Sequence, residues 1–240
     1  MTQPPEAWYA DPSDPTRLRW WDGRQWTGHT APMQPAYAHP RTTAATYRSA
    51  RGLAAASIVL ALLIVVVEVV LTALSLPSYN QINDAVSEGL DGTDVFTRYD
   101  GVVMLELPLE VAAYIVTCVW LWRVRANAEA LNAASPHVRS RGWVWGGWIC
   151  PVVSWWFPYQ VVRDVARATA RGDRRIGSWW GWFVAWTLLG NLIVRFAADG
   201  SFPVLQGVTT LVAIIAGARW VRIVRGIERD QQVYAAGRGV

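Results

Sequence analysis

The chain contains no lysine: all 22 of its basic residues are arginine. It has two cysteines, Cys118 and Cys150, both within apolar sequence, so each reads as a small buried apolar side chain and no structural disulfide is expected. His29, His39 and His137 are too scattered to build a metal site. No P-loop, H-E-x-x-H, G-x-S-x-G, C-x-x-C or G-x-G-x-x-G occurs, which argues against the standard soluble-type active sites and leaves no cofactor to expect. The arginines form no basic face with a recognisable module, so no nucleic-acid partner is expected. The first 50 residues hold no apolar h-region, so no cleaved signal peptide is expected and they should remain in the cytoplasm.

What the chain does have is hydrophobic length. Apolar residues make up 52% of it, and four runs, at 53–76, 102–122, 179–197 and 202–221, meet or nearly meet the roughly 20 residues needed to cross a bilayer as helix. The polar segments between them are sorted by charge. Asp84, Glu88, Asp91, Asp94 and Asp100 stand against Arg98 alone between the first two runs. Arg41, Arg48 and Arg51 precede the first run, and Arg123, Arg125, Arg139 and Arg141 follow the second. Short Arg-rich loops stay in the cytoplasm, so both termini should lie inside a plasma membrane, with anionic headgroups as the partner of the basic loops.

A fifth apolar stretch, Trp143–Val162, is interrupted by Pro151 and Pro158 and flanked by arginines at both ends. A cytoplasmic-side re-entrant or interfacial segment over 143–171 keeps both basic clusters inside. Pro158 suits the first turn of a helix on which Arg163 and Arg167 face away from Val161, Val162 and Val165, giving an in-plane amphipathic helix. Trp155 and Trp156, with Trp143, Trp145, Trp148, Trp120, Trp122, Trp179, Trp180 and Trp182, then form an aromatic belt at one interface. Ala213 and Gly217 offer a small-residue face for close packing within the bundle or between protomers, so a homo-oligomer is among the partners to consider. Ile82, Ala85, Val86 and Leu90 recur at helical spacing and suggest a short external helix.

Ionisable residues interrupt the apolar runs. Glu68 and Glu110 lie roughly 12 Å from the outer ends of their helices, Glu106 is one turn nearer the outside, and Asn191 and Arg195 repeat that spacing in the third helix. Each ionisable group costs at least about 2.5 kcal/mol in the membrane unless paired. Common depths predict one polar cluster of Glu68, Glu106, Glu110, Asn191 and Arg195, with Pro108 kinking the second helix beside it.

Residues 6–30 hold Trp8, Tyr9, Trp20, Trp21 and Trp26, enough aromatic area for a miniature core, and Asp22-Gly23 predicts a two-residue hairpin turn. This stretch resembles a short Trp-rich domain of unknown function, W-Y-x-D-P…W-W-D-G-x-x-W-T, found at the N-termini of membrane proteins in high-GC Gram-positive bacteria. Residues 127–164, with prolines at 151 and 158 followed by Arg163-Asp164, resemble a bacterial multi-pass membrane-domain family of unknown function, a likeness extending over about 50–228. Both resemblances imply location and architecture, and neither implies an activity.

The expected architecture is an all-α membrane helix bundle with a tiny N-terminal β-hairpin module. It comprises the module at 6–30, a flexible linker at 31–50, a membrane domain at 51–228 and a cytoplasmic tail at 229–240. The expected role is a non-enzymatic scaffold or regulatory protein docking a protein partner through the module. A small transporter or channel using the intramembrane Glu/Arg cluster is the alternative.

Overall fold

A computed structural model describes residues 4–32, 47–134, 137–169, 175–196 and 200–237. The side chains of Pro15, Val194, Arg195 and Phe196 lie outside that description, as do Arg171, Asp173, Arg174, Asp199 and residues 33–46 of the expected linker. The chain divides into two units, 1–44 and 45–240.

The N-terminal unit is a three-stranded antiparallel meander, not a two-stranded hairpin. Its strands are β1 (Ala7–Asp11), β2 (Asp14–Trp21) and β3 (Trp26–Pro32), in the order β1-β2-β3. The first strand joins because the Asp11 and Asp14 carboxylates accept the amides of Ser13 (2.8 Å) and Thr16 (2.9 Å), closing a tight turn at Pro12. The expected two-residue turn is a four-residue loop, Asp22–Gln25. Only Gly23 has positive φ (88°), and the Asp22 carboxylate accepts the amides of Arg24 (2.8 Å) and Gln25 (2.7 Å). A side chain that bonds two following amides makes the wider loop the better solution.

The second unit is helical, and its helices carry their apolar residues on the outside. In α1 (Arg51–Ser87), Val59, Leu62, Leu63, Val66, Val69 and Val70 are exposed along one stripe, while Ser57, Glu68, Ser75 and Ser78 are buried on the other. In α7 (Phe202–Ala236), Val204, Val208, Leu211 and Ile214 face out, and Gln206, Thr209 and Thr210 face in. Water would reject this arrangement; hydrocarbon tails favour it, because lipid gives no reason to hide Leu and Val and strong reason to hide polar groups.

Among the described residues, three helical spans are long and apolar enough to cross a membrane: Arg51–Ser87, Arg98–Leu131 and Phe202–Ala236. The segment expected as a further crossing is α6 (Ile176–Phe196), 21 residues long. It is not among those three.

Arg98–Leu131 is interrupted. Helix α2 (Arg98–Val103), capped by a Thr97–Asp100 box, ends before α3 (Glu106–Leu131) begins. Pro108 therefore stands in the first turn of α3, where its missing N–H costs little, and the expected kink is a break at Met104-Leu105. The expected external helix around Ile82 and Val86 is the continuation of α1, which ends at Ser87 and is followed by Gly89 with φ of 87°. The expected tail at 229–240 is likewise helical to Ala236.

The described part of the stretch, 143–169, forms no crossing helix. It contains α4 (Trp143–Ile149), a 3₁₀ turn at Val153–Trp155 and α5 (Phe157–Thr169), a 13-residue helix about 20 Å long. Pro151 follows the end of α4, and Pro158 occupies the first turn of α5. Helix α5 is strongly amphipathic, yet its apolar face is not free for lipid. Val161, Val162 and Val165 join Trp120, Leu121 and Val124 of α3 and Val224 and Ile227 of α7 in the main core. The aromatic belt needs the same correction. Trp120, Trp179 and Trp220 are buried and packed on one another, with centroids 5.6 Å apart for Trp120–Trp220 and 4.8 Å for Trp179–Trp220. Trp122, Trp155 and Trp156 are exposed.

Candidate functional site

The buried carboxyl of Glu68 is the centre of a polar network through the bundle. Trp186 of α6 donates its indole N–H to Oε1, and Gln206 of α7 donates from Nε2 to Oε2 at 3.1 Å. The Thr210 hydroxyl reaches the Glu68 carbonyl at 2.9 Å and lies 2.7 Å from the Thr72 hydroxyl. Outward along the chain of bonds, Tyr99 of α2 donates to Gln206 Oε1 at 2.9 Å. Neutral donors of α6 and α7 thus meet the carboxyl of α1, and α2 joins them through Gln206.

This differs from the expected cluster. Glu106 is half-buried and Glu110 exposed, and both lie within electrostatic range of Glu68. Asn191 is turned away: it is exposed and donates to the Thr187 carbonyl of its own helix at 2.7 Å. The Arg195 side chain lies outside the described residues. Trp186, Gln206, Thr210 and Tyr99 were not among the residues the sequence singled out. Gln206, a polar residue inside an apolar run, was the available signal; indole donors were read only as interfacial anchors.

Beside this network lies a cavity of about 410 Å³ between α1, α3, α4, α6 and α7. Its wall is largely apolar, with Trp148, Trp179, Phe183, Trp186 and Trp220 as the aromatic faces. Among the described residues Glu110 is the one carboxyl on it. Most of the other polar wall atoms have partners: Ser57 and Thr117 hydroxyls pair at 2.9 Å, Trp220 donates to Ser57 at 3.2 Å, Tyr114 to the Trp145 carbonyl at 3.1 Å, and Thr187 to the Phe183 carbonyl at 3.1 Å. Gly217 belongs to the wall too. A Cβ added there would stand 3.0 Å from Val65 Cγ2, so the small-residue face formed with Ala213 serves the contact between α1 and α7 inside the bundle.

A second polar knot closes the other end of the bundle. Arg125 is buried at 4% exposure and donates to Glu129 (2.9 Å), to the Ser140 carbonyl (3.1 Å) and to the Arg139 carbonyl. Arg141 pairs with Glu129 as well. Asn127 donates to the Arg48 carbonyl (2.8 Å) and to Gln231 (3.1 Å), while Asn132 donates to the Ala168 carbonyl (2.9 Å). The Arg163-Asp164 pair has the same fastening role. Arg163 bonds Asp164 (3.1 Å), whose other oxygen accepts the Val138 amide (2.9 Å). Arg163, expected to reach headgroups, is thereby engaged within the protein; Arg167 is exposed. Burial and the neighbouring Arg125 guanidinium hold the His137 imidazole below its ordinary value of 6.5. Cys118 is buried and donates to the Val144 carbonyl (3.3 Å), whereas Cys150 is exposed, contrary to expectation.

In the N-terminal unit the five aromatics divide between the two faces of the sheet. Tyr9, Trp21 and Trp26 meet edge to face, with Trp21–Trp26 centroids 5.2 Å apart. The chain's own prolines lie over this face, where Tyr9 donates to the Pro5 carbonyl (2.9 Å) and Trp21 to the Pro4 carbonyl (3.2 Å). Trp8 and Trp20 are register partners on the opposite face, with rings 5.5 Å apart, and Trp8 is 44% exposed.

No group of three or more His, Cys, Asp or Glu among the described residues is placed to hold a metal ion. Residues 87–229 match the family described as Domain of unknown function (DUF4328), and residues 7–39 match that described as Protein of unknown function (DUF2510). No curated protein and no solved structure matches. The first match covers more than half of the chain, beginning where α1 ends, and the chain belongs to the DUF4328 family.

Proposed function

We propose that this member of the family is a non-enzymatic adaptor of the plasma membrane. It crosses four times, through α1, α2–α3, α6 and α7, with both termini in the cytoplasm and the α4–α5 segment at the inner surface. Its sheet module docks an extended, proline-containing segment of a partner protein on the Trp8/Trp20 face. The division of the aromatics supports the reading. Tyr9 and Trp21 are engaged by Pro5 and Pro4, and Trp26, itself 37% exposed, packs edge to face against both rings, which accounts for the three as the module's small core. Trp8 and Trp20 stand on the open face as a preformed edge-to-face pair. Aromatic pairs of this kind receive prolyl rings in Pro-rich peptide recognition, and exposed tryptophans dominate the energetics of such surfaces. The same sheet already uses indole and phenol donors on prolyl carbonyls.

The test is titration of the full-length protein in lipid nanodiscs with a synthetic oligoproline peptide, followed by tryptophan fluorescence. Saturable binding lost in Trp8→Ala and Trp20→Ala, with the melting temperature of the helical unit unchanged, is expected. The reading is overturned if no peptide binds, and if crosslinking in membranes gives the same partner profile with residues 1–30 deleted.

The alternative of ion passage through a Glu/Arg cluster has less support. Glu68 is held by neutral donors that join helices, which fits a fastener better than a site a cation must enter and leave.

A further inference from the structure

The cavity in the helical unit has a composition that points to a ligand. At about 410 Å³ it falls in the range of about 300–1,000 Å³ usual for small-molecule sites. Indole carries the strongest negative face of the side-chain rings, and four tryptophans with Phe183 line the space. The cavity also contains a carboxyl: among the described residues Glu110 makes no hydrogen bond or ion pair, and it is exposed, which sets it at the mouth. Trp148 Nε1 is buried with no hydrogen-bond partner among the described residues, although its ring forms part of the wall.

Three ligand classes can be weighed against this wall. A bare metal ion needs several oxygen ligands, and the wall hydroxyls of Ser57, Thr117 and Thr187 are already bonded. A neutral hydrocarbon would fill the space but leave Glu110 without a counter-charge and Trp148 without an acceptor. An organic cation answers every feature: aromatic faces for the alkylated ammonium, a carboxylate for its charge, and a buried N–H for an acceptor oxygen.

We infer that this cavity binds a quaternary ammonium compound with an apolar body, its charge at Glu110 and its body among the tryptophans. A free small molecule and a choline lipid headgroup present the same ammonium, and the chemistry recognised is the same. The site is independent of the sheet module and of its proposed docking role.

The probe is benzoylcholine, compared with its uncharged isostere in which a tert-butyl group replaces the trimethylammonium. Binding is measured on the full-length protein in phosphatidylglycerol nanodiscs by calorimetry. Saturable binding of the cation, with the isostere weaker by about tenfold or more, is expected. Glu110→Gln should cost about tenfold in affinity for the cation and leave the isostere unchanged. Trp148→Phe should weaken both probes through the lost donor to the ester, and Glu106→Gln, off the wall, should change neither. Each variant is first shown to melt within a few degrees of the wild type. In phosphatidylcholine discs, weaker benzoylcholine binding identifies the lipid headgroup as the occupant, and unchanged binding identifies a free cation. Equal affinity for the two probes, or an unaltered affinity in a folded Glu110→Gln protein, overturns the proposal.

Discussion

Replacing Glu68 separates the role of a carboxyl as acceptor from its role as filler. In Glu68→Gln one oxygen remains for Trp186, whose indole N–H bonds no other acceptor among the described residues. The new amide NH₂ then faces Gln206, which donates to Glu68 in the native protein. Gln206 can turn its amide over, present its oxygen to residue 68, and donate instead to the Tyr99 hydroxyl, which accepts as readily as it donates. The network re-forms with its direction reversed, at a cost of about 1 kcal/mol. Glu68→Ala gives no such escape. The Trp186 and Gln206 donors are both orphaned in a buried site, at about 1–3 kcal/mol each, or about 2–6 kcal/mol together. With 1 kcal/mol moving Tm by about 2–4 °C in a chain of this size, the Gln variant should melt about 2–4 °C lower and the Ala variant about 4–24 °C lower. The structure supplies the assay. Cys118 is buried and Cys150 exposed, so in a Cys150→Ser background a thiol-reactive dye reports unfolding through Cys118 alone. Adding Trp186→Phe to Glu68→Ala removes an orphaned donor, and the double variant should be more stable than the two single losses sum to. If Gln is as damaging as Ala, or the double variant is additive, Glu68 does not fasten the helices in the way described.

Three further outcomes follow from other parts of the chain. With Cys150 replaced, membrane-impermeant thiol reagents should label Ser87→Cys and Ser201→Cys from outside the cell and Ser178→Cys only after permeabilisation; external labelling at Ser178 would remove the four-span topology. Arg125→Met should cost about 3–5 kcal/mol, because it leaves Glu129 with one partner fewer, takes the guanidinium donor from the Arg139 carbonyl and leaves the Ser140 carbonyl with the Trp143 amide, and the same dye assay would show an unaltered melt if the knot were dispensable. In the sheet module, the amides of Gln25 and Arg24 hold the Asp22 carboxyl below its ordinary 3.8, and the Thr16 hydroxyl and amide do the same for Asp14. A depressed folded value means their contribution is complete above about pH 4 and lost as pH falls through the folded values, so the Gln25 amide resonance should shift first in acid. A Gln25 shift beginning instead near pH 6 would assign the transition to another group.

The likeness of the module is carried by tryptophan spacing, and its turn by Asp22, yet the loop came out wider than a two-residue turn. The pattern Asp-Gly shows where the chain reverses; it does not show that the Asp22 carboxylate will take two amides for itself. In α5 the arginine stripe marked an amphipathic helix correctly, and its length excludes a crossing. Which surface its valines would cover was not legible, because lipid tails and a neighbouring helix are equally apolar. Depth counting grouped Glu68, Glu106, Glu110, Asn191 and Arg195, since a residue's distance from a helix end can be counted along the chain. It carries no information on rotation about the helix axis, and Asn191 points back at Thr187.

Hydrophobic length by itself determined that the chain is mostly helical with helices long and apolar enough to cross a membrane, because chain length against bilayer thickness is a one-dimensional comparison. The tertiary structure decided which stripe of each helix faces inward. It put Ser57, Glu68, Gln206 and Thr210 inside, set Trp186 against a carboxyl, and left a tryptophan-walled cavity with Glu110 at its mouth. Those choices depend on the relative rotation of several helices packed at once, a property no single apolar run carries.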